Sequence, residues 1–235
     1  MSIRIIEVGP RDGLQNEKTP IPTKAKLAFI NRLASCGLKE IEVSSFVSPK
    51  WVPQLGDAAE LWPQLTPGPA YSALVPNQRG LDRAIEVGVK RIALFTAASD
   101  AFTKKNINMT VAESLDAFRD VAQSFRDHVP DGFIRGYVST AFECPYAGSV
   151  EPQRVLEVCQ SLREIGVDQL SIGDTIGVAV PKEVRMLTNI LLGEIPSSML
   201  AFHFHDTRGT AIANVAEALQ LGIEAFDSSA GGLGG

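Results

Sequence analysis

A glycine followed within a few residues by an apolar run recurs four times along this 235-residue chain, at Gly37, Gly88, Gly166 and Gly222. Glycine commonly ends a helix in the left-handed conformation, and a short apolar run beginning next to it is typical of a buried strand. Each of these sites is therefore predicted to be a junction from helix to strand. A chain built from such junctions alternates helices with strands.

Outward from these junctions, the apolar runs predict eight strands with helix-like periodicity between most pairs. The strands are placed at residues 3–9, 40–46, 71–76, 91–97, 134–141, 169–174, 200–205 and 224–229. Eight strand–helix units in one chain of this size favour a closed parallel (β/α)8 barrel, in which the helices lie outside. The alternative is an open doubly wound sheet, but no G-x-G-x-x-G motif follows the first strand to support it.

Two threonines are predicted to begin helices, and the carboxyl end is expected to lack one. Thr110 with Glu113 has the spacing of a capping box, and Thr23 is predicted to cap the next helix upstream. After the last predicted strand, the glycine-rich run at 228–235 leaves no room for an eighth helix. We expect a single barrel domain over residues 1–235, truncated after its eighth strand and without the end of the glycine-rich loop.

The composition limits the classes of molecule that this protein is expected to bind. The formal net charge is −5 and no block of basic residues occurs, which argues against a nucleic-acid-binding surface. No apolar run approaches a membrane span, and no amino-terminal leader is apparent. The three cysteines include no CxxC pair, which favours free thiols in a reducing compartment. We expect a soluble cytoplasmic protein with a small-molecule partner, and no nucleic acid or membrane.

Two of the three histidines, His203 and His205, lie two positions apart in a predicted strand. Residues at i and i+2 of a strand point to the same side, so both imidazoles would face one space. Such a pair can supply two nitrogen ligands to one metal ion. The alternative is a pair of hydrogen-bonded structural histidines.

Further polar residues lie in or after other predicted strands, where the active sites of such barrels are found. They are Glu7, Arg11, Asp12, Glu42, Ser44, Ser45, Tyr137 and Asp174. Asp12 is the best candidate for a third metal ligand, because one carboxylate and two imidazoles leave open positions on an octahedral ion. Glu42 is expected either to support the metal site or to pair with Arg11. Asp206 is expected either to orient a histidine or to cap the next helix.

Arg11 is a candidate for stabilising negative charge on substrate oxygen. Its guanidinium is always charged and can direct two donors at a carbonyl or enolate oxygen. That role would suit an oxyanion formed during carbon–carbon cleavage. The alternative, compatible with it, is a salt bridge to Glu42 or Asp174.

Several segments together resemble the 3-hydroxy-3-methylglutaryl-CoA (HMG-CoA) lyase family over nearly the whole chain. They are Glu7–Lys18, Ser45–Gln54, Phe102–Asn108, Gly173–Gly177 and the HxHDT motif at His203–Thr207. The first and last alone would indicate only the wider metallolyase superfamily, which includes isopropylmalate and homocitrate synthases. The resemblance implies cleavage of HMG-CoA to acetyl-CoA and acetoacetate with Mg2+ or Mn2+, as in leucine breakdown.

The resemblance also implies roles for individual residues. Asp12, His203 and His205 would bind the metal, Arg11 would hold the thioester oxygen, and Glu42 would support the metal site. The substrate-binding set would comprise Arg11, Lys18, Ser45, Asn108, Tyr137 and Ser171, with Asp174 beside Tyr137 and Ser171 at the acyl group. We expect Asp12 or Asp174 to accept the substrate proton, and His203 to serve in proton transfer as well.

Two departures from the family pattern bear on activity. The family's loop continues beyond the glycines into a catalytic cysteine, and a later asparagine completes its metal ligands; with neither residue in the sequence, a chain ending at Gly235 is expected to be impaired. Arg208 stands where familiar members carry tyrosine. The alternatives are a related acyl-CoA lyase, such as one for citramalyl-CoA, or a non-catalytic barrel fragment; a synthase is less favoured. A homodimer is a further expectation.

Overall fold

Eight parallel strands close into one barrel in the computed structural model, which describes residues 3–234. Two further short strands lie outside the barrel. In chain order the ten strands of the described residues are β1 (Arg4–Glu7), β2 (Glu40–Ser45), β3 (Ala70–Leu74), β4 (Arg91–Ala97), β5 (Phe133–Ser139), β6 (Glu143–Cys144), β7 (Gly148–Ser149), β8 (Gln169–Asp174), β9 (Leu200–Phe204) and β10 (Ala225–Ser228). The barrel order is β1-β10-β9-β8-β5-β4-β3-β2, and β6 and β7 form a separate antiparallel hairpin. The predicted barrel is confirmed, and each predicted strand lies within two residues of an observed one.

Among residues 3–234, eight α-helices connect the strands. They are α1 (Thr23–Ser35), α2 (Ala58–Leu61), α3 (Gln78–Glu86), α4 (Asp100–Ile107), α5 (Val111–His128), α6 (Pro152–Ile165), α7 (Pro181–Leu192) and α8 (Ala211–Gln220). All four junction glycines have φ between 79° and 94°. The glycines therefore supply the left-handed residue between helix and strand that the sequence predicted.

The main apolar core lies between the barrel wall and the helices. Its largest fully buried side chains include Phe125, Ile134, Leu162 and Phe202. Because side chains alternate across a strand, this outward packing leaves the other face of each strand for the barrel interior, where several polar residues are buried. Among the residues that the structure describes, no helix has both the length and the apolar character needed to span a membrane.

Of the two predicted helix caps, the one at Thr110 is confirmed and the one at Thr23 is not. Thr110 Oγ1 accepts from the Glu113 amide at 3.1 Å, and the Thr110 amide donates to Glu113 Oε2 at 2.7 Å, as a capping box requires. The prediction for Thr23 was wrong. Helix α1 begins at Thr23 itself, after Pro22, and the Thr23 hydroxyl donates to Asp57 Oδ2 at 2.8 Å. Its hydroxyl is engaged by a distant loop carboxylate rather than by the first turn of its own helix.

The carboxyl end completes the sheet. Strand β10 pairs with β1 on one side and β9 on the other, so the eighth strand of the barrel closes the sheet as predicted. Within the described residues, β10 is followed by a short turn at Ala230–Gly232. That segment packs on the loop after β1: a side chain at Gly13 would place its Cβ 2.6 Å from Leu233 Cβ. Glycine at position 13 therefore permits this close approach.

Candidate metal and acyl-CoA site

A short helical turn at Gly9–Gly13 directs two charged side chains into the carboxyl-terminal mouth of the barrel. Arg11 is only 4% exposed, and its Nη1 donates to Asp12 Oδ1 at 2.6 Å. Its Nε donates to Glu42 Oε1. Of the two expectations for Glu42, pairing with Arg11 is observed, and support of the metal site stays a prediction. A guanidinium held by two carboxylates is fixed in position and orientation.

Glu42 also fixes the neighbouring tyrosine. The Tyr137 hydroxyl donates to Glu42 Oε2 at 3.0 Å. Arg11 and Arg135 both lie over the Tyr137 ring, with guanidinium carbons 5.2 and 5.0 Å from its centroid. Burial, followed by the negative charge of Glu42, raises the pKa of Tyr137, so this hydroxyl stays protonated as a donor.

Asp12, His203 and His205 converge as the sequence predicted. Each offers one ligand atom, and these atoms all lie within 4.8 Å of one another. His203 Nε2 is 3.5 Å from Asp12 Oδ2, and the two imidazole centroids are 4.9 Å apart. The same-side placement expected from the HxH spacing therefore brings two nitrogens and one oxygen to a single point.

Each histidine has its Nδ1 engaged by an acceptor. His205 Nδ1 lies 2.9 Å from the backbone oxygen of Asp174, which can only accept, so Nδ1 carries the proton. His203 Nδ1 lies 2.9 Å from Asp227 Oδ2. In both rings the hydrogen-bonded Nδ1 leaves Nε2 as the nitrogen available to a metal ion.

The charged groups at the mouth shift the pKa values of Asp12 and His203. Burial acts to raise the pKa of Asp12, but the positive charge of Arg11 and the nearby histidines outweigh it and lower that pKa. Burial acts to lower the pKa of His203, but the hydrogen bond and charge of Asp227 raise it. Asp12 is consequently a carboxylate at neutral pH and can serve as an anionic ligand.

Asp174 is at the mouth, but its carboxylate is used by its own loop. The Val178 amide donates to Oδ1 and the Ala179 amide donates to Oδ2, each at 3.1 Å. This arrangement secures the turn after β8. Ser171 is buried in the barrel and donates to Asp227 Oδ2 at 3.1 Å, close to Tyr137 on the adjacent strand. Ser45 is also buried, and its Oγ accepts from the Val47 amide at 3.2 Å.

The remaining sequence candidates lie outside the buried cluster. Lys18 is exposed in the segment between the first helical turn and α1, and Asn108 is exposed at the end of α4 with φ of 56°. Their contact with substrate stays a prediction. Asp206 Oδ1 accepts from the Ala211 amide at 2.9 Å, which places it at the start of α8. Arg208 is exposed in the same loop.

Sequence reasoning missed Asp227 and Arg135, which form a buried ion pair inside the barrel. Arg135 Nη2 donates to Asp227 Oδ1 at 2.5 Å. Both residues stand in predicted strands, and Arg135 is two positions from Tyr137 and so shares its face. Opposite charges in strands of a buried barrel were the available signal, because such residues are rarely buried unless paired.

Known proteins resemble this chain over nearly its whole length. A family model described as HMGL-like matches residues 2–235. Rat cytoplasmic 3-hydroxy-3-methylglutaryl-CoA lyase is 49% identical over 236 residues, which cover 99% of this chain and 68% of the rat protein. A Pseudomonas aeruginosa protein named 3-hydroxy-3-isohexenylglutaryl-CoA/hydroxy-methylglutaryl-CoA lyase is 47% identical, with coverage of 99% and 78%.

A solved structure gives the same result for the fold. An HMG-CoA lyase from Acinetobacter baumannii, in complex with coenzyme A and 3-methylmalate, has a TM-score of 0.95 and 35% sequence identity. The match covers 100% of this chain and 76% of that chain. The resemblance inferred from the sequence segments is confirmed over the same length. The chain belongs to the HMGL-like family.

Proposed function

We propose that this chain is a metal-dependent carbon–carbon lyase that cleaves HMG-CoA to acetyl-CoA and acetoacetate. The observation that carries the proposal is the convergence of Asp12, His203 and His205 beside the buried guanidinium of Arg11. Relatives named as HMG-CoA lyases support the choice of substrate.

The donor set of the mouth fits a divalent cation. One carboxylate oxygen and two imidazole nitrogens suit Mg2+ or Mn2+ and leave coordination positions for substrate. Asp12, His203 and His205 would hold the ion. When bound, it would supply Lewis-acid chemistry, polarising a substrate oxygen and lowering the pKa of a substrate hydroxyl.

Arg11 is positioned to stabilise the enolate oxygen of the acetyl-CoA product. Its Nε and Nη1 are engaged by Glu42 and Asp12, whereas Nη2 has no hydrogen-bond partner among residues 3–234. A preorganised charged donor of this kind costs no reorganisation when negative charge develops on a thioester oxygen. The two carboxylates orient the guanidinium, and Nη2 remains to meet the substrate.

Asp12 is the better placed of the two carboxylates considered as proton acceptor. Its Oδ1 is held by Arg11, whereas Oδ2 accepts no hydrogen bond from the described residues. The part expected of His203 in proton transfer stays a proposal. Both carboxylate oxygens of Asp174 already accept from backbone amides. We assign Asp174 to holding the loop and Tyr137 and Ser171 to the wall of the acyl pocket.

Other parts of the proposal rest on the family alone. Lys18, Ser45 and Asn108 are proposed as contacts to the acyl-CoA, and residues 1–235 as one barrel domain. A cytoplasmic location and a homodimer also stay proposals; the relatives include proteins named as cytoplasmic and as mitochondrial.

A direct assay tests the function. Purified full-length protein with Mg2+ or Mn2+ is expected to release acetyl-CoA and acetoacetate from HMG-CoA, and chelation of the metal is expected to stop the reaction. Parallel reactions with citramalyl-CoA and with 3-hydroxy-3-isohexenylglutaryl-CoA compare substrates of different acyl length. Failure to cleave any of the three with either metal would sink the lyase proposal.

The second candidate is a barrel that binds metal or CoA without turnover. Calorimetry with coenzyme A and Mn2+, taken with the cleavage assay, separates the two candidate functions. The second candidate requires binding without cleavage.

A further inference from the structure

The Asp227 carboxylate is the meeting point of three donors from three strands of the barrel. Arg135 of β5 donates to Oδ1 at 2.5 Å, and Ser171 of β8 donates to Oδ2 at 3.1 Å. His203 Nδ1 of β9 lies 2.9 Å from the same Oδ2. Asp227 itself lies on β10, so four neighbouring or nearby strands are tied together at one side chain.

These contacts dictate the tautomer of His203. A carboxylate is an acceptor only, and the ion pair with Arg135 keeps Asp227 in that form, so His203 Nδ1 must donate to it. The proton on Nδ1 leaves the lone pair of Nε2 directed toward Asp12 Oδ2, 3.5 Å away. A backbone oxygen fixes the tautomer of His205 in the same way, whereas the tautomer of His203 depends on a side chain that can be replaced.

We propose that Asp227 is a positioning residue, which fixes the ring orientation and tautomer of His203 so that Nε2 is presented to the metal ion. This inference rests on the metal site proposed above. Arg135 and Ser171 hold the carboxylate rigidly, so that the ring is oriented before the ion arrives. Histidine ligands are commonly oriented in this way, and loss of the partner typically costs about 10–100-fold in metal affinity.

Asparagine at position 227 tests the role with little change of shape. An amide offers one acceptor oxygen where three donors require two, so either Arg135 loses its partner or an amide N–H faces Ser171 and His203. The second arrangement would favour the other tautomer of His203, which places a proton on Nε2. We expect Asp227→Asn to weaken Mn2+ binding roughly 10–100-fold by titration calorimetry.

Glu40→Gln is the matched control. Glu40 is also a carboxylate inside the barrel wall held by two arginines, Arg4 and Arg91, but it makes no contact with His203. The control is expected to bind Mn2+ as the wild type does. Equal affinity of Asp227→Asn and wild type would overturn the proposal, as would equal losses in Asp227→Asn and Glu40→Gln.

A second measurement needs no variant and so does not depend on folding of Asp227→Asn. With only three histidines in the chain, ring 15N chemical shifts identify the protonated nitrogen of each. A proton on Nδ1 of His203 in the metal-free wild type supports the role of Asp227, and protonation at Nε2 alone overturns it. If the wild type bound no Mn2+ at all, the metal site would fail, while the tautomer would still decide the role of Asp227.

Discussion

The two ends of this barrel both carry arginine–carboxylate clusters, partly exposed at one end and largely buried at the other, yet only the buried one leaves ligand atoms open. At the amino-terminal floor, Arg4 donates to both oxygens of Glu40, at 2.9 and 3.0 Å, and Arg91 donates to Oε2 at 3.0 Å. The Arg91 guanidinium also lies 3.8 Å from the centroid of the Phe133 ring. Both arginines of the floor cluster are thus paired with the single carboxylate of Glu40.

At the carboxyl-terminal mouth, the same types of residue are joined by two histidines. Arg11 occupies one oxygen of Asp12, and both imidazoles are anchored through Nδ1. The other oxygen of Asp12 and the Nε2 atoms of both histidines therefore face one another, and they remain available as metal ligands. A cluster of opposite charges does not by itself indicate a site; unengaged ligand atoms held at short range do.

The largest expected effect comes from removing the anionic ligand of the mouth. Asp12→Asn keeps the size of the side chain but loses its charge and one acceptor oxygen. We expect Mn2+ affinity to fall by more than about 100-fold, beyond the loss typical of a residue that only orients a ligand. Calorimetry measures this loss, and Glu40→Gln at the floor is its control. Unchanged Mn2+ binding in Asp12→Asn would remove the distinction between the two ends.

Arg11→Lys separates catalysis from metal binding within the mouth. Lysine keeps the positive charge but lacks the planar fork that binds Glu42 and Asp12 while leaving Nη2 for substrate. We expect kcat to fall roughly 10²–10³-fold, as for loss of one preorganised donor at a developing oxyanion. Mn2+ affinity should stay within a few-fold of wild type. A normal kcat would refute the enolate role.

Glu40→Gln is expected to affect stability instead of chemistry. It leaves part of the Arg4 and Arg91 guanidinium groups without a charged acceptor, and loss of such a partly exposed ion pair costs about 0.2–1 kcal/mol of unfolding free energy. Urea denaturation measures the loss. Turnover and Mn2+ binding of the folded variant should match wild type; a large fall in kcat would mean that the floor is coupled to the chemistry.

The smallest effect concerns Glu7, whose charge is costly to the fold. Its Oε1 accepts from the amides of Gly9 and Ala230, each at 2.9 Å, and burial raises its pKa above the usual value. Glu7→Gln keeps an acceptor oxygen without the charge. A raised pKa in the folded state means that folding favours the protonated acid, so wild-type stability contributed by this group increases as pH falls.

Glu7→Gln should therefore be slightly more stable than wild type at pH 7, and the difference should shrink as the pH falls through the folded-state pKa of Glu7. Thermal unfolding across this range checks the direction. A variant that is less stable than wild type at pH 7 would show that the charged form of Glu7 stabilises the fold.

Much of the fold and the centre of the site were predictable because their determinants are local. Left-handed glycines and apolar runs define the strands, and the i, i+2 spacing of His203 and His205 defines their common side. Because active sites in parallel barrels lie at the carboxyl ends of the strands, Asp12 could then be expected near these two histidines. These inferences needed no knowledge of which distant side chains touch.

What could not be predicted depends on a choice between distant partners. Arg135 and Asp227 are 92 positions apart, and only the closed barrel brings them together. Thr23 could have capped its own helix, but Asp57, 34 positions away, takes its hydroxyl. Asp174 lies where a catalytic carboxylate was expected, yet the amides of its own loop engage it. In each case several partners were chemically equivalent, and the packing of the barrel selected one.

The three histidines allow one direct test of the contrast between mouth and floor. His203 and His205 lie at the mouth, whereas His128 is exposed at the end of α5, next to the strand start that belongs to the floor. Bound Mn2+ is paramagnetic and broadens the NMR signals of nearby rings. Substoichiometric Mn2+ is predicted to broaden the ring signals of His203 and His205 and to leave those of His128 sharp. Broadening of His128 first, or of none of the three, would contradict a metal site at the mouth.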